Sequence, residues 1–126
     1  MYDRQGSDIM NSRSILVIVR HPPHGTSWVR EGLEAALVGA ALGQPPTILF
    51  SGDGVLALLA HQQRGALGQK GSAAMLEGLS LYDIEPLWYD QRSLETRGME
   101  VSQLMPGCQQ ACVADLIARH DVVMSF

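Results

Sequence analysis

With only two cysteines, Cys108 and Cys112, in 126 residues, the chain has no disulfide framework, so a reducing cytoplasm is its default compartment. A basic stripe is also missing. Nine Lys and Arg against thirteen Asp and Glu leave a net charge of −4 with the signs interspersed, so direct nucleic-acid binding by this chain alone is not expected. No charge run suits a membrane surface. The longest apolar tract, "LEAALVGAALG", is broken by Glu34 and falls well short of the roughly 20 residues a membrane span needs. No positively charged start leads into an apolar signal segment, and neither a repeat nor a second domain is visible.

What is present suits one domain, because a chain of this length removes roughly two thirds of its unfolded surface from water. The polar lead "MYDRQGSDIMNSR", residues 1–13, is expected to be flexible, with Met10 an alternative start; the domain then occupies 14–126. "SILVIV" is a continuous β-branched run of the kind that fits a strand covered on both faces. After the Pro-rich "RHPPHGTS", Thr26 or Ser27 can cap a helix running to about Leu42, with Val29, Leu33, Leu37 and Ala40 on its apolar stripe and Gly43 as its stop. "PPTILF" reads as a second strand, "SGDG" as a turn into the short helix "VLALLAHQ", "SAAMLEGLSLYD" as another helix and "EPLWY" as a third strand. "CQQACVADLIARH" reads as the last helix and "DVVMSF" as the last strand, with no clear β-rich run between "LMPG" and that helix. The alternation predicts an α/β domain of three layers, a parallel sheet with helices on both faces.

In such sheets chemistry collects at the carboxyl ends of the strands, which directs attention to "RHPPHGTS", "SGDG" and "DQRS". Asp90, in "LWYDQRSLETRG", stands where the third strand enters a short helix that ends near Arg97 and Gly98. Its carboxylate suits an N-cap, accepting bonds from free backbone amides; a general acid or base would need a partner, and none is evident nearby. Asp53, between Gly52 and Gly54, likewise suits a cap in a sharp turn, because "GDG" has neither the lysine of a Walker loop nor the spacing of a dinucleotide fingerprint. His21 and His24 flank two prolines, but His61, His120, Cys108 and Cys112 do not complete a recognised metal-ligand spacing, so neither a metal nor another cofactor is expected. Cys108 and Cys112, four apart on a predicted helix, would share one face. Cys108 at the helix start could be reactive, while Cys112 in line with Leu116 would be buried. Gly32 and Gly39 inside the first helix each cost about 1 kcal/mol relative to alanine, which close packing on another helix or subunit would explain. Trp28 could line a pocket or an interface.

Four blocks in order, "PHGTSWVREGLEAAL", "SGDGVLALL", "GLSLYDIEPLWYDQRSLETRG" and "HDVVMSF", resemble the DsrE/DsrF-like family, and within it the TusC/DsrF branch. The resemblance spans nearly everything after the polar lead. It implies a small α/β fold with a parallel sheet and a mixed hexamer holding two copies each of three related subunits. It also implies a sulfur relay: TusB, TusC and TusD pass persulfide sulfur toward 2-thiolation of the tRNA wobble uridine, while DsrE, DsrF and DsrH serve oxidative sulfur metabolism. The catalytic member, TusD or DsrE, carries sulfur on a cysteine in the loop after a strand of this type; the corresponding place here is filled by Asp90. The expectation is therefore a non-catalytic subunit with TusB-like and TusD-like partners, or DsrH-like and DsrE-like ones. Gly25, Trp28, Gly32, Gly39, Asp53 and Asp90 would mark its interface or strand-end loops. A reading of another class makes the chain a persulfide carrier through Cys108. "PHGT", "REGL" and "LYDIE" lean toward TusC, and "SLETRG" and the final "SF" fit DsrF equally.

Overall fold

A computed structural model describes residues 13–60 and 69–126. Apart from Arg13, the lead expected to be flexible lies outside the described residues, as do His61 and the end of "VLALLAHQ".

Among the described residues five strands form one sheet: β1 Ile15–Val19, β2 Thr47–Phe50, β3 Leu87–Tyr89, β4 Cys108–Gln110 and β5 Val122–Ser125. They pair in the order β4-β3-β2-β1-β5, every pair parallel. The β-branched run of β1 sits at the inner side of this order because its side chains are buried on both faces: Val17 and Val19 on one, Leu16 and Ile18 on the other. Among the described residues four α-helices connect the strands: α1 Trp28–Ala41, α2 Gln69–Gly78, α3 Gln91–Thr96 and α4 Val113–Ala118.

Among the described residues the two faces are unequally covered. On the thicker side Val17, Val19, Ile48, Phe50, Leu87 and Tyr89 pack against Val29, Leu33 and Ala36 of α1 and Leu94 of α3. On the other side Leu16, Ile18 and Leu49 are closed chiefly by Leu116 of α4, with Trp88 and Val113 beside them. The predicted stripe of α1 is rotated slightly, since Ala36 is fully buried while Leu37 and Ala40 are only partly so.

Two helix stops follow the glycine logic of the sequence. Gly43, at φ +85°, and Gln44 donate to the carbonyls of Ala40 and Gly39; Gly98, at φ +66°, and Met99 donate to those of Glu95 and Leu94. Both are the paired bonds that satisfy carbonyls left free at a helix end.

Three expectations need correction. The segment after β2 is not an α-helix from Val55 but a 3₁₀ helix over Gly52–Leu58, which begins directly at the turn. The helix expected over "SAAMLEGLSLYD" ends at Gly78 and continues as a 3₁₀ turn, Leu79–Tyr82. "CQQACVADLIARH" is not one helix: Cys108–Gln110 is a strand, and α4 starts only at Val113. The strand is short and polar because it is an edge whose backbone is ordered by β3, through Leu87 opposite Cys108 and Tyr89 opposite Gln110, and its outer side needs no apolar cover.

Candidate functional site

A parallel sheet sends all its carboxyl ends to one edge, and the loops after β1, β2 and β3 meet there. Their approach is close. Gly52 takes φ +56°, a left-handed backbone that turns the chain off β2. Gly54 then lies against the end of β1, where a Cβ atom would come within 1.9 Å of the Val19 carbonyl oxygen. The glycines of "SGDG" are therefore accounted for by backbone geometry.

A hydrogen-bond chain ties the β2 loop to α3. The Gly52 amide donates to Ser93 Oγ at 2.8 Å, and Ser93 Oγ donates to Asp90 Oδ2 at 2.7 Å. Ser93 is buried, so its hydroxyl needs both partners, and an ionised acceptor makes the second bond the stronger kind. Asp90 does occupy the N-cap position of α3, with extended backbone, but its carboxylate takes the Ser93 hydroxyl and caps no backbone amide. The expectation for Asp53 is corrected in the same way. Ser51 stands at the cap position, and Asp53 Oδ1 accepts from Arg97 Nε at 3.0 Å and Nη2 at 2.8 Å. Arg97 Nη1 also donates to the Ser93 carbonyl at 3.1 Å, a bond within the α3 segment that holds the guanidinium in place for Asp53. Because the ion pair is exposed on the Asp53 side, Asp53→Ala should lower unfolding stability by no more than about 1 kcal/mol in a urea titration, and less at high salt.

The β1 loop contributes an aromatic pair. The His21 ring stacks on Trp28 with centroids 5.0 Å apart and planes at 22°, and Trp28 remains 43% exposed. Gly25 takes φ +79° just before α1, and Thr26 Oγ1 donates to the Pro22 carbonyl. His24 is exposed, and His120 lies far off in sequence, its Nδ1 2.6 Å from the Leu116 carbonyl and its Nε2 3.0 Å from Thr47 Oγ1. Among the described residues no group of three His, Cys, Asp or Glu is placed to hold a metal ion, and no helix is long and apolar enough to cross a membrane.

Gly32 and Gly39 have intrachain reasons. A Cβ at Gly32 would meet the Phe126 ring at 3.3 Å, and one at Gly39 the Gln44 carbonyl at 3.1 Å.

The cysteines do not share a helix face, because Cys108 opens β4 and Cys112 precedes α4. Cys108 packs against the thicker core, and burial pushes its thiol pKa up to about 11. That is the reverse of the activated thiol expected at a helix start. Cys112 is the exposed one, at the N-cap position, beyond the carboxyl end of β4 and so on the same edge of the sheet as Asp90. Ser93 was the residue missed in the sequence; its signal is a serine three places after an aspartate at the N-cap position, a spacing that returns a side chain to the helix start.

Comparison with known proteins agrees with this architecture. The model of the DsrE/DsrF-like family matches residues 13–126. The protein named TusC from Escherichia coli O8 (strain IAI1) is 35% identical over 119 residues, covering 90% of this chain and 99% of that protein. A protein named TusC homolog from Pseudomonas aeruginosa PAO1 is 32% identical over 118 residues, covering 91% and 99%. The crystal structure of the ychN protein from E. coli superposes with a TM-score of 0.77 at 20% identity, over 90% of this chain and 99% of that one, which establishes a common fold.

Proposed function

The chain belongs to the DsrE/DsrF-like family, and from that premise we propose that it is a non-catalytic subunit of a TusBCD-like sulfur relay complex that supports 2-thiolation of the tRNA wobble uridine. One observation carries the reading. Where the catalytic member of such complexes holds its cysteine, after a strand and before a helix, this chain has Asp90, and its carboxylate is engaged by Ser93. A thiolate there attacks the outer sulfur of a persulfide, forming a new S–S bond as the donor's S–S bond breaks and the donor leaves as a thiolate; a carboxylate has no exchangeable sulfur and cannot. Of the chain's own thiols, Cys108 offers little instead, because it is packed into the core with its pKa raised.

The subunit's contribution is then structural. Gly25, Trp28, Asp53 and Asp90 lie in the segments that leave the strands at one edge, braced by the Gly52–Ser93–Asp90 and Asp53–Arg97 bonds, and that edge is where a sulfur-bearing loop of a sister subunit would be received. TusB-like and TusD-like subunits are the partners, in a heterohexamer in the cytoplasm. The names of the relatives favour this over the DsrF role in sulfur oxidation.

Co-expression with the neighbouring subunits, treatment of the purified complex with a low-molecular-weight persulfide and mass analysis of each chain test the proposal. Sulfane sulfur is expected on a partner's cysteine and absent from this chain. Loading of this chain when purified alone, lost in Cys108→Ser or Cys112→Ser, would overturn it.

A further inference from the structure

At the opposite edge of the sheet from Asp90, the amino ends of β3 and β4 frame a cavity of about 250 Å³. Its walls are apolar, made by Leu76 at the end of α2, Leu79, Ile84, Leu87 and Met105. Two carboxylates, Glu77 and Glu85, join the lining. Both residues are exposed, and neither has an ion pair or hydrogen bond among the described residues. The 3₁₀ turn that supplies Leu79 and Ser80 to the wall continues outward as Leu81, 84% exposed, and Tyr82, 51% exposed.

We propose that this cavity is a docking site for a protein segment that presents one large apolar side chain flanked by lysine or arginine. Its apolar walls and volume of about 250 Å³ accommodate a single anchoring side chain. Its charge decides the flanks. Two unpaired carboxylates at the mouth, on a chain of net charge −4, attract a cationic segment and repel an acidic one. The shoulder of Leu81 and Tyr82 extends the apolar surface beyond the cavity in a way that a peptide can cover. The site does not depend on the sulfur-relay reading, because it lies away from the strand-end loops.

The test is a titration of the ¹⁵N-labelled full chain, followed by amide shifts, with three acetylated pentapeptides: Gly-Lys-Phe-Lys-Gly, Gly-Lys-Ala-Lys-Gly and Gly-Glu-Phe-Glu-Gly. The first should move the amides of Glu77, Ser80, Glu85 and Gly107 with a Kd on the order of 1 mM, and the other two should bind at least about fivefold more weakly. The exposed-site double variant Glu77→Gln/Glu85→Gln should keep its fold and lose about the same factor for the first peptide. Equal response to all three peptides, shifts confined to other regions, or no shifts at several times that concentration would each overturn the proposal. So would phenethylamine binding as tightly as the first peptide, which would make the cavity a small-cation site. Shifts of the same amides on raising protein concentration alone would assign it to a second copy and equally overturn it.

Discussion

Gly54→Ala should cost at least about 3 kcal/mol of unfolding free energy, at or beyond the upper end of ordinary overpacking, and should leave a chain of this size barely folded. The added methyl would stand 1.9 Å from the Val19 carbonyl oxygen and 2.6 Å from its carbon. Both are backbone atoms, so no side chain can swing aside. Relief requires moving the end of β1 or the start of the 3₁₀ helix, and the same Val19 carbonyl accepts the Ser51 amide at 3.0 Å. The displacement would therefore break the junction on which the strand-end edge is built. Gly78→Ala is the control: no atom lies within 4 Å of the added Cβ, the position closes α2, and stability should hold or rise by up to about 1 kcal/mol. Urea midpoints of the two variants, at unchanged m, measure the contrast; equal midpoints would refute the close approach.

The same segment shows where a sequence informs and where it stops. "SGDG" after an apolar run announces a turn, because glycine is the residue that permits φ +56° at Gly52. It does not say that the second glycine is required by β1, 35 residues earlier, since that contact exists only once β1 and β2 pair in parallel register. The C-terminal end of helix α1 was legible because its stop signal is local, in Gly43, and its burial is periodic; at its start Ser27 holds the N-cap position, but its hydroxyl goes to the Glu31 carboxylate and Thr26 Oγ1 to the Pro22 carbonyl, so neither caps a backbone amide. Strand β4 was not legible. Cys108, Gln109 and Gln110 have no pattern that favours a strand, and what fixes them is the ladder to β3. Mistaking that strand for helix placed Cys108 at a helix start and inverted the expected chemistry of the two thiols. Asp90 was identified by its position, yet its partner was hidden, because a buried serine and an exposed one are written with the same letter. The cavity at the far edge could not be read at all, being assembled from residues 76–87 and 105–107.

The two thiols should separate sharply in reactivity. With an aromatic disulfide reagent at pH 8, one thiol of the folded chain should react fast and the other slowly, and Cys112→Ser should remove the fast phase. Raising the Cys108 pKa from 9.0 to about 11 lowers its thiolate population at pH 8 by about a hundredfold. The greater nucleophilicity of a higher-pKa thiolate recovers a factor of only about eight, so ionisation alone leaves Cys108 about tenfold slower than an ordinary thiol, and its packing against the core adds to that. The slow phase should accelerate with pH until about 11, and in urea the difference should vanish. Stability follows by linkage. Between about pH 9 and 11 the unfolded chain has lost the Cys108 proton while the folded chain keeps it, so the unfolded state binds fewer protons and stability falls as pH rises through that window. Cys108→Ala should flatten that fall. A fast-reacting Cys108 in the folded chain would mean that the core does not hold it as described, and the case against Cys108 as a sulfur carrier would lose its physical basis.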